Sequence, residues 1–178
     1  MSYGILVLRL VVGLTLAAHG TQKLFGWFGG GGLRGTAGFF EQIGFRSATS
    51  MAFLAAVAEA SGLLFALGLV TPLAALGMAV AMLVAIGSVH WSKGFFVTSG
   101  GYEYNVILVA AAVTVTMTGP GRFSLDSLIG WEDNISGLWW GIGVFAVALL
   151  AASLTLTLFK ATEGVARERR RESTAAAS

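Results

Sequence analysis

The sequence predicts an all-α integral membrane protein: a four-helix transmembrane bundle core followed by a fifth, C-terminal transmembrane helix. Three observations carry this. The chain of 178 residues is 56% hydrophobic with a mean hydropathy of +0.79, more apolar surface than a soluble interior of that length can bury. Its charged share is 11%, about half that of a soluble domain. All five tryptophans (Trp27, Trp91, Trp131, Trp139, Trp140) fall near predicted span ends or in loops, as interfacial belts require.

A span needs about 20 mostly apolar residues. The first runs from about Tyr3 to Gly20, interrupted by Arg9. It lacks a basic leader, and Arg9 stands where a signal peptide is uninterruptedly apolar, so it reads as a retained helix. The stretch HGTQKLFGWFGGGGLRGTAGFF, residues 19–40, then leaves the membrane. Its glycines are followed by Leu33 and Arg34 with no strand before them, so neither a phosphate loop nor a dinucleotide fingerprint is matched. Gly29 to Gly32 read as a chain reversal, a run redundant enough as a hinge to tolerate single alanine changes better than Lys23 or Gly101–Glu103 do. TAGFFEQIGF reads as a short amphipathic surface helix with Thr36 a candidate cap.

Residues 51–89 hold one charge, Glu59, over a length sufficient for two spans. Pro72 breaks them, giving helices at about 51–70 and 72–90. The fourth span, about Tyr104 to Thr118, is short, and the fifth, about Leu138 to Phe159, carries no charge. Residues 161–178 are basic and end in small polar residues, a solvated, disordered cytoplasmic tail. Five spans with the N-terminus outside leave Lys23, Arg34, Arg46, Lys93, Lys160, Arg167, Arg169, Arg170 and Arg171 inside and only Arg122 outside. The positive-inside rule then sets N-out, C-in.

Charges at membrane depth are costly and face partners inside a bundle. Ala52, Ala55, Glu59, Gly62 and Ala66 recur at helical spacing, which places Glu59 on a stripe of small residues suited to close helix approach. Gly13 and Ala17 form a similar stretch in line with Arg9. Antiparallel neighbours would then pair Arg9 with Glu59. A second group gathers at one face: His19 and Lys23 close the first helix, His90 and Lys93 close the third, and Glu103 opens the fourth. Arg9, His19, Lys23, Glu59, His90, Lys93 and Glu103 are the candidate polar-cavity or binding residues. The group at the face fits either an anionic or quinone-headgroup pocket or a snorkelling basic rim neutralised by one salt bridge.

With no cysteine, thiolate zinc sites, iron–sulfur clusters, disulfides and thiol relays are excluded. Two histidines at the membrane edge argue for no metal site and weigh against haem. Nothing points to nucleic acid.

The order and spacing of Arg9, HGTQKLFGWFGG, TAGFFEQIGF, AEASGLLFALGLVTPLAA, Gly101–Glu103 and GPGRFSLDSLIG resemble the DoxX family of small bacterial membrane proteins, over roughly residues 3–128. The resemblance implies a DoxX-like four-helix domain at 1–128, an additional transmembrane helix at 129–160 and the tail at 161–178. It also implies a place in the bacterial plasma membrane and a role as subunit or accessory factor of a quinone-linked redox or oxidative-stress system, one relative being a thiosulfate:quinone oxidoreductase subunit. The partners it implies are the lipid bilayer, a quinone or lipid, and a redox protein. It assigns no catalytic residues, and whether the chain is itself an oxidoreductase stays open. A small-solute transporter or channel with Arg9, Glu59, His19 and Glu103 as its polar path, and a non-catalytic scaffold for a partner enzyme, remain as alternatives. Homo-oligomer formation is also open.

Overall fold

A computed structural model describes residues 2–160; the basic tail read at 161–178 lies outside the described residues. The helices are α1 (Ser2–Phe25), α2 (Gly32–Gln42), α3 (Ala48–Ala60), α4 (Gly62–Leu67), α5 (Thr71–Ala85), α6 (Glu103–Thr118), the single turn α7 (Leu125–Leu128) and α8 (Leu138–Phe159). Among the described residues, four stretches are long and apolar enough to cross a bilayer: Ser2–Phe25, Ala48–Leu67, Thr71–Lys93 and Leu138–Phe159. The remaining apolar helix, α6, has 16 residues and extends about 24 Å at 1.5 Å per residue. The protein is therefore an all-α membrane bundle.

Successive long helices run antiparallel, so the bundle has two ends. One holds the start of α1, the α4–α5 turn, α7 and the start of α8; the other holds the end of α1, α2, the start of α3 and the end of α8. Trp131, Trp139 and Trp140 are exposed at the first end and Trp27 and Trp91 at the second, where amphipathic rings suit a membrane interface.

The stripe of small residues works as its spacing predicts. A Cβ on Gly13 would sit 2.7 Å from the Ala66 backbone nitrogen, and one on Gly62 would meet the Gly13 carbonyl and lie 2.8 Å from the Ala17 nitrogen. Backbones this close leave no room for side chains, and α1 packs along the whole α3–α4 span through this seam. The span bends at Ser61, whose hydroxyl donates to the Ala58 carbonyl at 2.6 Å, a back-bond that deforms a helix locally.

α5 is the centre of the bundle, packed against α3, α6 and α8. The core around it joins Phe65, Met78, Val115, Val144 and Ala148, all buried. The break before it falls at residues 68–70, and α5 opens at Thr71 with Pro72 in its first turn, the position where proline's missing N–H does no harm. Leu150, Leu154 and Leu158 on α8 are exposed, a surface suited to lipid.

Two local expectations are corrected. Thr36 lies inside α2 and its hydroxyl donates to the Gly32 carbonyl at 2.8 Å, so it is not a cap; the glycine run itself starts the helix. Those glycines are not interchangeable either. Gly29 and Gly32 have positive φ, while a Cβ on Gly30 would run into Gln22 of α1, including its backbone.

Candidate functional site

The α1 end that carries Arg9 is closed. Arg9 is 1% exposed. Its Nε donates to the Phe65 carbonyl at 3.2 Å, its Nη2 to Ala66 at 2.9 Å and Phe123 at 3.0 Å, and its Nη1 to Pro120. Phe65 and Ala66 are near the end of α4, where helical carbonyls have no partner within the helix. Asp126, 0% exposed, does the complementary task for the start of α5. Its Oδ1 accepts from the Val70 N–H at 2.8 Å, and its Oδ2 from the Thr71 N–H at 2.9 Å and hydroxyl at 2.6 Å. A cation thus sits at a helix C-terminus and an anion at a helix N-terminus, both favoured by the helix dipole. This polar clasp holds the α4–α5 turn against the segment 119–126.

Arg9 therefore does not pair with Glu59, and it is not a cavity residue. The seam sets the reason. Register along Gly13 and Gly62 brings Arg9 level with Ala66, seven residues beyond Glu59 and about 10 Å away along the axis. Val12, Leu16 and Phe65 are buried in the same part of the bundle. The polar path from Arg9 through Glu59 that a channel would use is interrupted.

The opposite end is open inside. A cavity of about 790 Å³ lies between α1, α2, α3, α5, α6 and the end of α8. Its walls are mostly apolar: Phe39, Phe40, Ile43 and Phe45 from α2 and the turn after it, Met51 and Ala55 from α3, Val80 and Met82 from α5. Leu16, His19 and Lys23 reach it from one face of α1, as their helical spacing requires. Glu59 faces it from α3, and Tyr104 and Asn105 from the first turn of α6. α8 contributes Thr155 and Phe159. Its end is tied in by the Arg46 N–H donating to the Phe159 carbonyl at 2.7 Å and by Lys160 Nζ donating to Gly87 at 3.3 Å and Ser88 at 3.2 Å.

The central polar pair is Lys23 and Glu59, in direct salt-bridge contact through Oε1. The lysine side chain is 30% exposed and the glutamate side chain 5%. Glu59 Oε2 is buried and has no hydrogen-bond partner among the described residues. Across the cavity, the acceptor of Asn105 Nδ2 among the described residues is the Met82 thioether at 3.4 Å, a weak one. His90 ends a π-helical turn, Ile86–His90, a distortion common at functional sites. Its Nδ1 lies 2.7 Å from the Gly100 carbonyl. A carbonyl only accepts, so Nδ1 carries the proton, and His90 lines the cavity.

Of the seven residues singled out in the sequence, His19, Lys23, Glu59 and His90 line one cavity. Lys93 and Glu103 stand at the same end but outside it. The Lys93 stem lies against Gly100. Glu103 Oε2 accepts from the Val97 N–H at 2.9 Å, and with the Tyr102 N–H on the Gly94 carbonyl at 3.1 Å it folds the 94–103 loop over the cavity mouth. The salt bridge expected at this face exists, with Glu59 rather than Glu103 as its acid. Sequence reading missed Asn105, Tyr104 and Asp126. The amide in the apolar run of α6 was a usable signal, since polar groups at membrane depth are costly; Asp126 stands outside any span and carries no such signal.

The DoxX family matches residues 4–91, from the first turn of α1 to the π-helical turn. The chain is a DoxX-family membrane protein. The matched region contains both Arg9 and the cavity residues His19, Lys23, Glu59 and His90, whereas α6 and α8, which close this DoxX-family bundle, lie beyond it. No curated protein and no solved structure matches the chain.

Proposed function

We propose that this DoxX-family protein is the quinone-binding membrane subunit or accessory factor of a redox or oxidative-stress system in the bacterial plasma membrane. The observation that carries the reading is the cavity: about 790 Å³, within the range of small-molecule sites, apolar over most of its wall and polar at Lys23, Glu59, Asn105 and His90. The residues fit a quinone. Lys23 Nζ and Asn105 Nδ2 are donors for a ring oxygen, and the Phe39, Phe40, Phe45 and Met82 wall suits an isoprenoid tail. A bound quinone would supply two-electron, two-proton redox chemistry; the chain's own groups bind and orient the ring, exclude water and offer Glu59 and His90 as proton-holding groups. Electrons would come from a partner redox protein.

The test is to purify the protein in mild detergent, analyse its extractable lipid and titrate it with decylubiquinone in nanodiscs. Co-purified quinone or saturable binding that Ala55→Trp abolishes by filling the cavity is the expected result; neither would overturn the reading. Among the described residues Lys23, Arg34, Arg46, Lys93 and Lys160 gather at the cavity end, with Arg122 at the other, which supports a cytoplasmic cavity and an outside N-terminus. Phosphatase activity of a C-terminal alkaline phosphatase fusion would overturn that orientation.

A further inference from the structure

Glu59 lines the cavity and is 4% exposed; one of its oxygens is held by Lys23, and the other is buried with no hydrogen-bond partner among the described residues. A carboxylate oxygen only accepts hydrogen bonds, and leaving a buried acceptor unmade is unfavourable. The ligand group that completes this site is therefore a donor. Lys23 already neutralises Glu59, so the pair offers an incoming anionic head no net positive charge. The available space is lipid-like in its apolar walls, and Asn105 supplies a donor whose only described acceptor is a thioether.

We infer that the Glu59 site selects amphipathic lipids with a hydroxyl head, and hence holds the hydroquinone more tightly than the quinone. This rests on the quinone reading above and adds the redox state to it. A quinone ring presents two carbonyl oxygens, both acceptors, so one placed against Glu59 Oε2 sets lone pair against lone pair. A hydroquinone places an O–H there and still accepts from a donor at its other oxygen. A single charge-assisted hydrogen bond of this kind separates the two forms by about tenfold or more. Tighter binding of the reduced form raises the potential of the bound couple, by about 30 mV per tenfold for a two-electron pair. The site thereby draws electrons toward the ring.

The experiment uses the full chain in nanodiscs and equilibrium binding under anaerobic conditions. The probes are decylubiquinone, decylubiquinol and the quinol's dimethyl ether, which keeps the ring and loses both O–H groups. Decylubiquinol binding about tenfold tighter than the other two is the expected result. Glu59→Gln, whose amide also donates, should remove the preference for the quinol over its dimethyl ether; the wild-type ratio stands without the variant if that variant fails to fold. Equal binding of all three probes overturns the inference and leaves the quinone reading intact. Binding of none overturns both.

Discussion

The two ends of α1 bury charge in opposite ways. At Arg9, four of the guanidinium's five N–H groups meet backbone carbonyls, Asp126 balances the charge, and no cavity opens. At Glu59, a single lysine holds one oxygen, the other is buried with no partner among the described residues, and the adjoining space is large enough for a small molecule. The difference follows from position along the chain. Arg9 lies beside the end of α4, where unpaired carbonyls are plentiful. Glu59 lies where α3 runs on into α4, with the Ser61 N–H on the Val57 carbonyl at 3.0 Å and the Phe65 N–H on the Ser61 carbonyl at 3.1 Å, so the backbone groups there bond to one another and its partners must be side chains or a ligand. A buried charge saturated by backbone holds the fold; one left half-saturated beside a cavity marks a site.

The sharpest way to break this comparison is Arg9→Leu. It leaves Asp126 buried without its cation and strands the Ala66, Pro120 and Phe123 carbonyls, the Phe65 carbonyl keeping the Gly68 N–H at 3.0 Å, so a loss of about 3–5 kcal/mol is expected, read as a collapse of detergent thermostability or yield. Combined with Glu59→Leu it should be additive within about 0.5 kcal/mol, because the two sites share no partner. Strong coupling would mean that the ends communicate and that the division is wrong.

Lys23→Met should cost less, about 2 kcal/mol, since the buried Glu59 loses its counter-ion but the lysine itself is 30% exposed and water can partly replace it. Lys23→Met with Glu59→Gln should recover much of that loss in a thermal melt. Failure to recover would mean that Lys23 acts chiefly on another group.

The smallest effect is expected at the closure of the cavity by α8. Lys160→Ala removes an exposed hydrogen bond to Gly87 and a part-buried one to Ser88, worth about 0.5–1 kcal/mol together. It should leave the Arg9 end unchanged while increasing hydrogen exchange in residues 86–90. Uniform exchange changes across the bundle would show one cooperative unit instead of two separable ends.

The membrane class, the five apolar helices, the interfacial tryptophans and the small-residue seam were all legible in the chain, because each depends on local transfer of apolar residues from water or on spacing along one helix. The gathering of His19, Lys23, Glu59 and His90 at one end was legible for the same reason: alternating spans bring every second loop to the same face. What the tertiary structure decided is who meets whom. The Gly13–Gly62 contact fixes the axial register of α1 against α3 and α4, giving Arg9 to the α4 carbonyls and Lys23 to Glu59. Asp126 joins the first group from a segment distant in sequence, and α2, α6 and α8 bring the aromatic wall, Asn105 and Phe159 to the second. Hydropathy specifies that a helix is buried in lipid or protein; it carries no information about sliding along the axis, where about 10 Å separates a structural clasp from a binding site.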